Sequence, residues 1–204
     1  MRNLKRDLPY LPSILAGAVI SISCLVYLSC GNRYVGSILF SLGVLNVMFF
    51  KLPLFTGVAG NAGVRVIDLI SIWLDNFIGV LIVVALINNT RLSPLQEQAL
   101  IMVQQKENDT YISLFILSIF CGMLMFMATQ TARADNNIVD KTIRTIFCIA
   151  VFVLIGFEHC VADMFYFAFA QATLSDLARL IIISIGNGIG ANIIPIVERS
   201  VSKC

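Results

Sequence analysis

What this sequence lacks most is charge. Only 13% of its 204 residues are charged, about half the ~25% typical of a soluble domain. So few charges cannot cover a chain that is 58% hydrophobic and has a mean hydropathy of +0.90. A soluble globular enzyme and a disordered chain are both excluded. Basic excess is missing too: 14 Lys+Arg against 12 Asp+Glu leave a net charge of +2, too little for a phosphate footprint, so no nucleic-acid partner is expected. The polarity alternation that membrane β-strands show over ~10-residue segments is absent. No CxxC spacing occurs among the six cysteines at 24, 30, 121, 148, 160 and 204. They read as small buried hydrophobes rather than disulfides or metal ligands. No Walker A motif is present, and no metal or cofactor is expected. Histidine occurs once, as His159.

What remains is long apolar runs, each near the ~20 residues that a membrane helix needs. Charge-free stretches place six of them: roughly Leu11 to Cys30, residues 34–50, Val66 to Asn88, residues 110–132, Lys141 to Gln171, and Ala178 to Val197. The third tolerates Asp68 and Asp75, and the fifth is long for one helix. Six spans put both termini on one side. With the N-terminus inside, inner segments carry Arg2, Lys5, Arg6, Lys51, Arg65, Arg133, Lys141, Arg144, Arg199 and Lys203, and outer ones carry Arg33, Arg91, Lys106 and Arg179. Ten against four favours cytoplasmic termini. The basic start precedes an apolar run too long for a cleavable signal, so it reads as a first membrane anchor.

Glycine and proline cluster at two points. Lys51-Leu52-Pro53-Leu54-Phe55-Thr56-Gly57-Val58-Ala59-Gly60-Asn61-Ala62-Gly63 closes the second run, and Gly156-Phe157-Glu158-His159-Cys160-Val161-Ala162-Asp163-Met164 interrupts the fifth. Pro53 lacks the N–H that a helix needs, and glycine permits non-helical backbone. Breaks in runs two and five are equivalent if the chain is two three-helix halves, roughly 1–90 and 105–204. Three is odd, so the halves run in opposite directions, the arrangement of an inverted repeat with its site at the midplane. Each break is expected to expose helix-end N–H groups that favour anions. Packing kinks are the bland alternative, but Glu158, His159 and Asp163 at membrane depth weigh against it.

At these residues the sequence resembles the formate/nitrite transporter family. Gly156 to Met164 is similar to that family's G-F-E-H-S-[IV]-A-N-M signature, and Leu54-Phe55-Thr56 to its L-F-T segment. Phe40-Ser41-Leu42-Gly43, Trp73-Leu74, Gly79 and Gly186-Asn187-Gly188-Ile189-Gly190 agree in order, so the likeness covers nearly the whole chain. The resemblance implies an all-α membrane protein of six helices with an aquaporin-like inverted repeat. It implies a homopentamer in the lipid bilayer of a prokaryotic inner membrane, each protomer with its own pore. His159 matches the central pore histidine, Thr56 the threonine facing it, and Leu54 and Phe55 the constriction. Lys106 matches a vestibule lysine lying sixteen residues before an asparagine, and Gly122 stands at that asparagine's place. Pro53 replaces an acidic residue, Asp163 replaces the signature's asparagine, and the chain is shorter than is usual in the family.

The chemistry suits this likeness. A small anion loses its hydration in an apolar constriction, and its neutral acid crosses more cheaply. His159 can supply electrostatic contact or exchange a proton. Lys106 at the outer mouth would attract anions, and Thr56 would hydrogen-bond His159 or the substrate. Glu158 is expected to cap backbone or pair locally, and Asp163 likewise. Phe157, Gly122 and Asp163 are further pore-lining candidates, while Phe165, Phe167 and Phe169 read as packing. The leading expectation is a channel or secondary transporter of small monovalent anions of weak acids, with protons as partners. The alternatives are an aquaporin-like pore for small neutral solutes, although no asparagine-proline-alanine box is present, and a membrane enzyme using Glu158, His159 and Asp163. One histidine with no second polar cluster argues against catalysis.

Overall fold

Two broken helices decide how the other elements sit in the computed structural model, which describes residues 10–134, 137–171 and 173–201. All the described regular structure is helical: α1 (Tyr10–Ser29), α2 (Arg33–Phe49), α3 (Phe55–Val58), α4 (Val66–Ile87), α5 (Gln96–Glu107), α6 (Tyr111–Ala134), α7 (Ile138–Ile155), α8 (Cys160–Phe169) and α9 (Leu174–Val201). The apolar runs become helices where local caps start them. Asn32 accepts N–H bonds from Tyr34 and Val35 at the head of α2, and Asn137 accepts one from Val139 at α7, each satisfying donors that the helix itself cannot.

Among the described residues, four helices are long and apolar enough to cross a bilayer: α1, α4, α6 through Thr129, and α9. The 22 residues of α4 span about 33 Å, enough for a ~30 Å hydrocarbon core. The α7–α8 pair, bent by 48°, passes as a fifth, and α2 is a shorter apolar helix. This set is consistent with six spans. Exposed Leu11, Ile22, Ile38, Leu42, Ile82 and Ile189 face outward, as lipid solvation requires. The inside-charge assignments to Arg2, Lys5, Arg6 and Lys203, like Cys204, lie outside the described residues, as does the side chain of Arg133.

Two sets of matching contacts organise the bundle. α1 packs on α4 and α6 packs on α9. At one crossing the backbone of Asn76 presses on Gly17, and at the other the backbone of Asn187 presses on Gly122, in each case too closely for a Cβ. Glycine therefore sets how near these helix pairs approach.

The fifth run is broken where the sequence expects it, because Gly156 takes the left-handed conformation (φ +87°) and ends α7, a conformation nearly free for glycine. The sequence expectations change at two places. The two breaks are unequal: α8 has ten residues after its break, whereas α3 has four. The stretch before the fourth run, which belongs to none of the six apolar runs, contains α5. That helix docks through buried Ala99 and Val103, which with Leu95 recur at the four-residue interval of a helix face.

Candidate functional site

The backbone at each break is held by one asparagine from the helix behind it. Asn76 of α4 accepts the Phe55 N–H at 2.9 Å and donates to the Pro53 carbonyl at 3.0 Å and the Ser13 carbonyl at 2.7 Å. Asn187 of α9 accepts the Cys160 N–H and donates to the Glu158 and Ser118 carbonyls, each at 2.8 Å. Both asparagines are fully buried. They satisfy the groups that unwinding strips of helical partners, which hydrocarbon could not do. The Phe55 and Cys160 N–H groups, expected to stand open for anions, are thus already occupied. The His159 ring completes this at the second break, accepting the Ala162 N–H at Nδ1 (3.2 Å) as the N-cap of α8.

That cap fixes the tautomer of the neutral ring. With Nδ1 accepting, the proton sits on Nε2, which lies 2.9 Å from the Thr56 hydroxyl oxygen. His159 donates this bond, and the Thr56 hydroxyl hydrogen is left to be given elsewhere. The two breaks therefore meet through their side chains. Phe152 stacks on the imidazole, with centroids 5.6 Å apart and planes 20° apart, and Phe40 meets Phe152 edge-on.

On one side of His159 lies a cavity of about 400 Å³. His159, Asp163, Lys106, Phe157, Phe152 and Arg33 are among its lining residues. Lys106 reaches it from the last turn of α5, whose end is pinned by Arg179 of α9 donating to the Glu107 carbonyl at 3.0 Å. Arg33 stands at the head of α2 and donates to the Leu154 carbonyl in the last turn of α7, one of the carbonyls that a helix end leaves over.

Lys106 is the least like its expectation. Instead of a hydrated charge, it is a largely shielded ammonium between two carboxylates. It bonds Glu158 Oε2, and Asp163 Oδ1 lies 3.0 Å away. Burial works against its charge, but Asp163 and Glu158 outweigh that and hold its pKa above the ordinary lysine range. Glu158 accordingly pairs with a side chain rather than capping backbone. Leu54, Phe55 and Thr56 are buried and stand off the cavity wall. Phe55 instead borders an apolar groove between α4 and α9. Gly122 sits in the α6–α9 crossing, also off that wall. Phe157 lies on the wall and packs on Phe120, with centroids 5.5 Å apart.

Asn76, Asn187, Arg33 and Phe152 were not singled out as site residues. The two asparagines carried a signal: each is an amide inside an apolar run, costly unless it has work to do there.

Comparison with known proteins agrees with this architecture. The family model described as formate/nitrite transporter matches residues 4–198. The formate channel FocA of Haemophilus influenzae is 30% identical over 188 residues, covering 80% of this chain and 66% of that protein. FocA of Escherichia coli K12 is 25% identical over 178 residues, covering 75% and 62%. The formate channel BtFdhC of Bacillus thuringiensis is 27% identical over 200 residues, covering 92% and 72%. The matches thus span less than two thirds of the two FocA proteins. Among solved structures, a pentameric formate channel with formate bound has a TM-score of 0.80 at 22% identity, covering 95% of this chain and 96% of its own. An FNT family ion channel has a TM-score of 0.75 at 22% identity, covering 91% and 86%.

Proposed function

This chain belongs to the formate/nitrite transporter family, and from that premise we propose that it carries small monovalent anions of weak acids, formate among them, across a membrane. The observation that carries the reading is the 400 Å³ cavity with His159 on its wall and the cations Arg33 and Lys106 beside it. The Arg33 guanidinium offers an entering anion positive charge, which lowers the cost of shedding water, while the charge of Lys106 is balanced by Glu158 and Asp163. Further in, the Thr56 hydroxyl, held by the Nε2–H of His159, has its own hydrogen to offer where hydration is lost. The proximity of Ala162 N–H to Nδ1 opposes a second ring proton, so His159 works here as a neutral donor. Buried Leu54 and Phe55 form the apolar constriction beyond it.

The same reading makes the chain a multi-pass homopentamer of a prokaryotic inner membrane, with a pore per protomer, cytoplasmic termini and no enzymatic activity. The halves, roughly 1–90 and 105–204, are inverted repeats, and the two asparagine clamps support that relation.

Flux into proteoliposomes tests it. Formate, nitrite, hydrosulfide, acetate and lactate are compared with glycerol and water across pH. Formate or nitrite uptake above empty vesicles is expected. Permeation of glycerol and water without any anion would contradict it and favour the neutral-solute pore.

A further inference from the structure

The cluster behind the cavity wall has one more carboxylate than it has cations. Lys106 bonds Glu158, and its Nζ lies 3.0 Å from Asp163 Oδ1. Asp163 is 2% exposed, and its other oxygen, Oδ2, is buried without any hydrogen-bond partner. Asp163 also lines the cavity with His159. With all three groups ionised, the cluster would carry a net negative charge in a dry site beside a path meant for anions. Such a charge is expensive, and so is a carboxylate oxygen with no donor.

A proton on Oδ2 removes both costs. It neutralises the cluster and turns the orphaned acceptor into a donor. The orphaned oxygen belongs to Asp163, so Asp163 holds the proton and Glu158 keeps the ion pair with Lys106. A buried O–H there has the neighbouring Glu158 carboxylate as its resting acceptor, and a carboxylate oxygen of a small anion in the cavity can take that place. We propose that Asp163 binds and protonates the permeating anion: it carries an exchangeable proton on Oδ2, donates it as a hydrogen bond to an anion oxygen, and transfers it so that the neutral acid passes His159. This rests on the anion-transport reading above.

The step balances without any redox partner. The Oδ2–H bond breaks and its electron pair stays on Asp163. An O–H bond forms on the anion, giving the neutral acid. Hydronium from the open end of the cavity then reprotonates Asp163. The titratable groups around Asp163 are Lys106 on α5, Glu158 and His159 in the link, Cys160 and Tyr166 on α8, Cys24 and Tyr27 on α1, Cys121 on α6, and Arg33 across the cavity. α4 and α9 bring Asp75 and the Asp176–Arg179 pair into the same bundle. Near neutral pH the formal charges closest to Asp163 are those of Lys106 and Glu158.

Infrared difference spectroscopy on the purified full chain reads the proton directly. At neutral pH the wild type should show the carbonyl band of a protonated carboxyl that shifts in heavy water, moves again on adding sodium formate, and is missing in Asp163→Asn. A wild type without that band, a band that formate leaves unmoved, or the same band persisting in Asp163→Asn overturns the proposal. The formate shift needs no variant, so it decides even if Asp163→Asn fails to fold. Formate flux in proteoliposomes alongside separates the two readings. No wild-type flux overturns the transport reading and this proposal with it. Flux without the carboxyl band overturns this proposal alone.

Discussion

The two breaks share a backbone device and differ in chemistry. At the first, Asn76 holds Phe55 and Pro53, and the side chains brought to the gap are Leu54, Phe55 and Thr56. At the second, Asn187 holds Cys160 and Glu158, and the gap receives Glu158, His159 and Asp163, with Lys106 against the two acids. The shared part is what any unwound segment in hydrocarbon demands. The difference shows that architecture and chemistry are separable: one amide keeps each break open, and the side chains inserted there decide what it does.

Removing the clamps should have the largest effect, and an equal one. Asn76→Leu and Asn187→Leu each strand one backbone N–H and one break carbonyl, that of Pro53 or Glu158, and remove a further bond to a helical carbonyl of Ser13 or Ser118. At about 1–3 kcal/mol per buried orphan, each should lose several kcal/mol, seen as a fall in the thermal unfolding midpoint in detergent. If only one substitution is harmful, the breaks are not equivalent in construction. Next is Lys106→Met, which has no counterpart at the first break. It leaves two buried acids without their cation and should cost about 3–5 kcal/mol. Adding Glu158→Gln and Asp163→Asn to it should recover most of the midpoint.

Thr56→Val tests the bond by which the breaks meet. It keeps the shape and orphans the His159 Nε2–H, at about 1–3 kcal/mol, with slower formate flux. The smallest effect is expected at the mouth. Arg33→Gln should slow formate uptake a few-fold at low salt, and the difference should vanish at high salt, where screening removes steering. A salt-independent loss would make Arg33 a cap of α7 and nothing more.

Much of this was legible in the sequence. The scarcity of charge identified lipid as the solvent, charge-free runs marked the spans to within a few residues, and glycine and proline marked both breaks. Periodicity failed at α5, whose face toward the bundle rests on two fully buried residues, Ala99 and Val103, too faint a stripe on a polar helix. The environment of Lys106 was illegible for another reason. A partner lying 52 or 57 positions away in sequence has no local signature, so a lysine in an ion pair reads like a lysine in water. The clamps were hidden similarly: Asn76 and Asn187 reach carbonyls on α1 and α6, and only the folded crossing reveals them.

The central claim is that the second break, through its imidazole, governs anion passage. Formate uptake into proteoliposomes by wild type and His159→Asn tests this most directly, because asparagine can still cap α8 while the ring is lost. The account predicts uptake reduced by about tenfold or more at neutral pH, a barrier rise of at least ~1.4 kcal/mol, with the thermal midpoint nearly kept. Equal uptake by the two proteins across pH would contradict it.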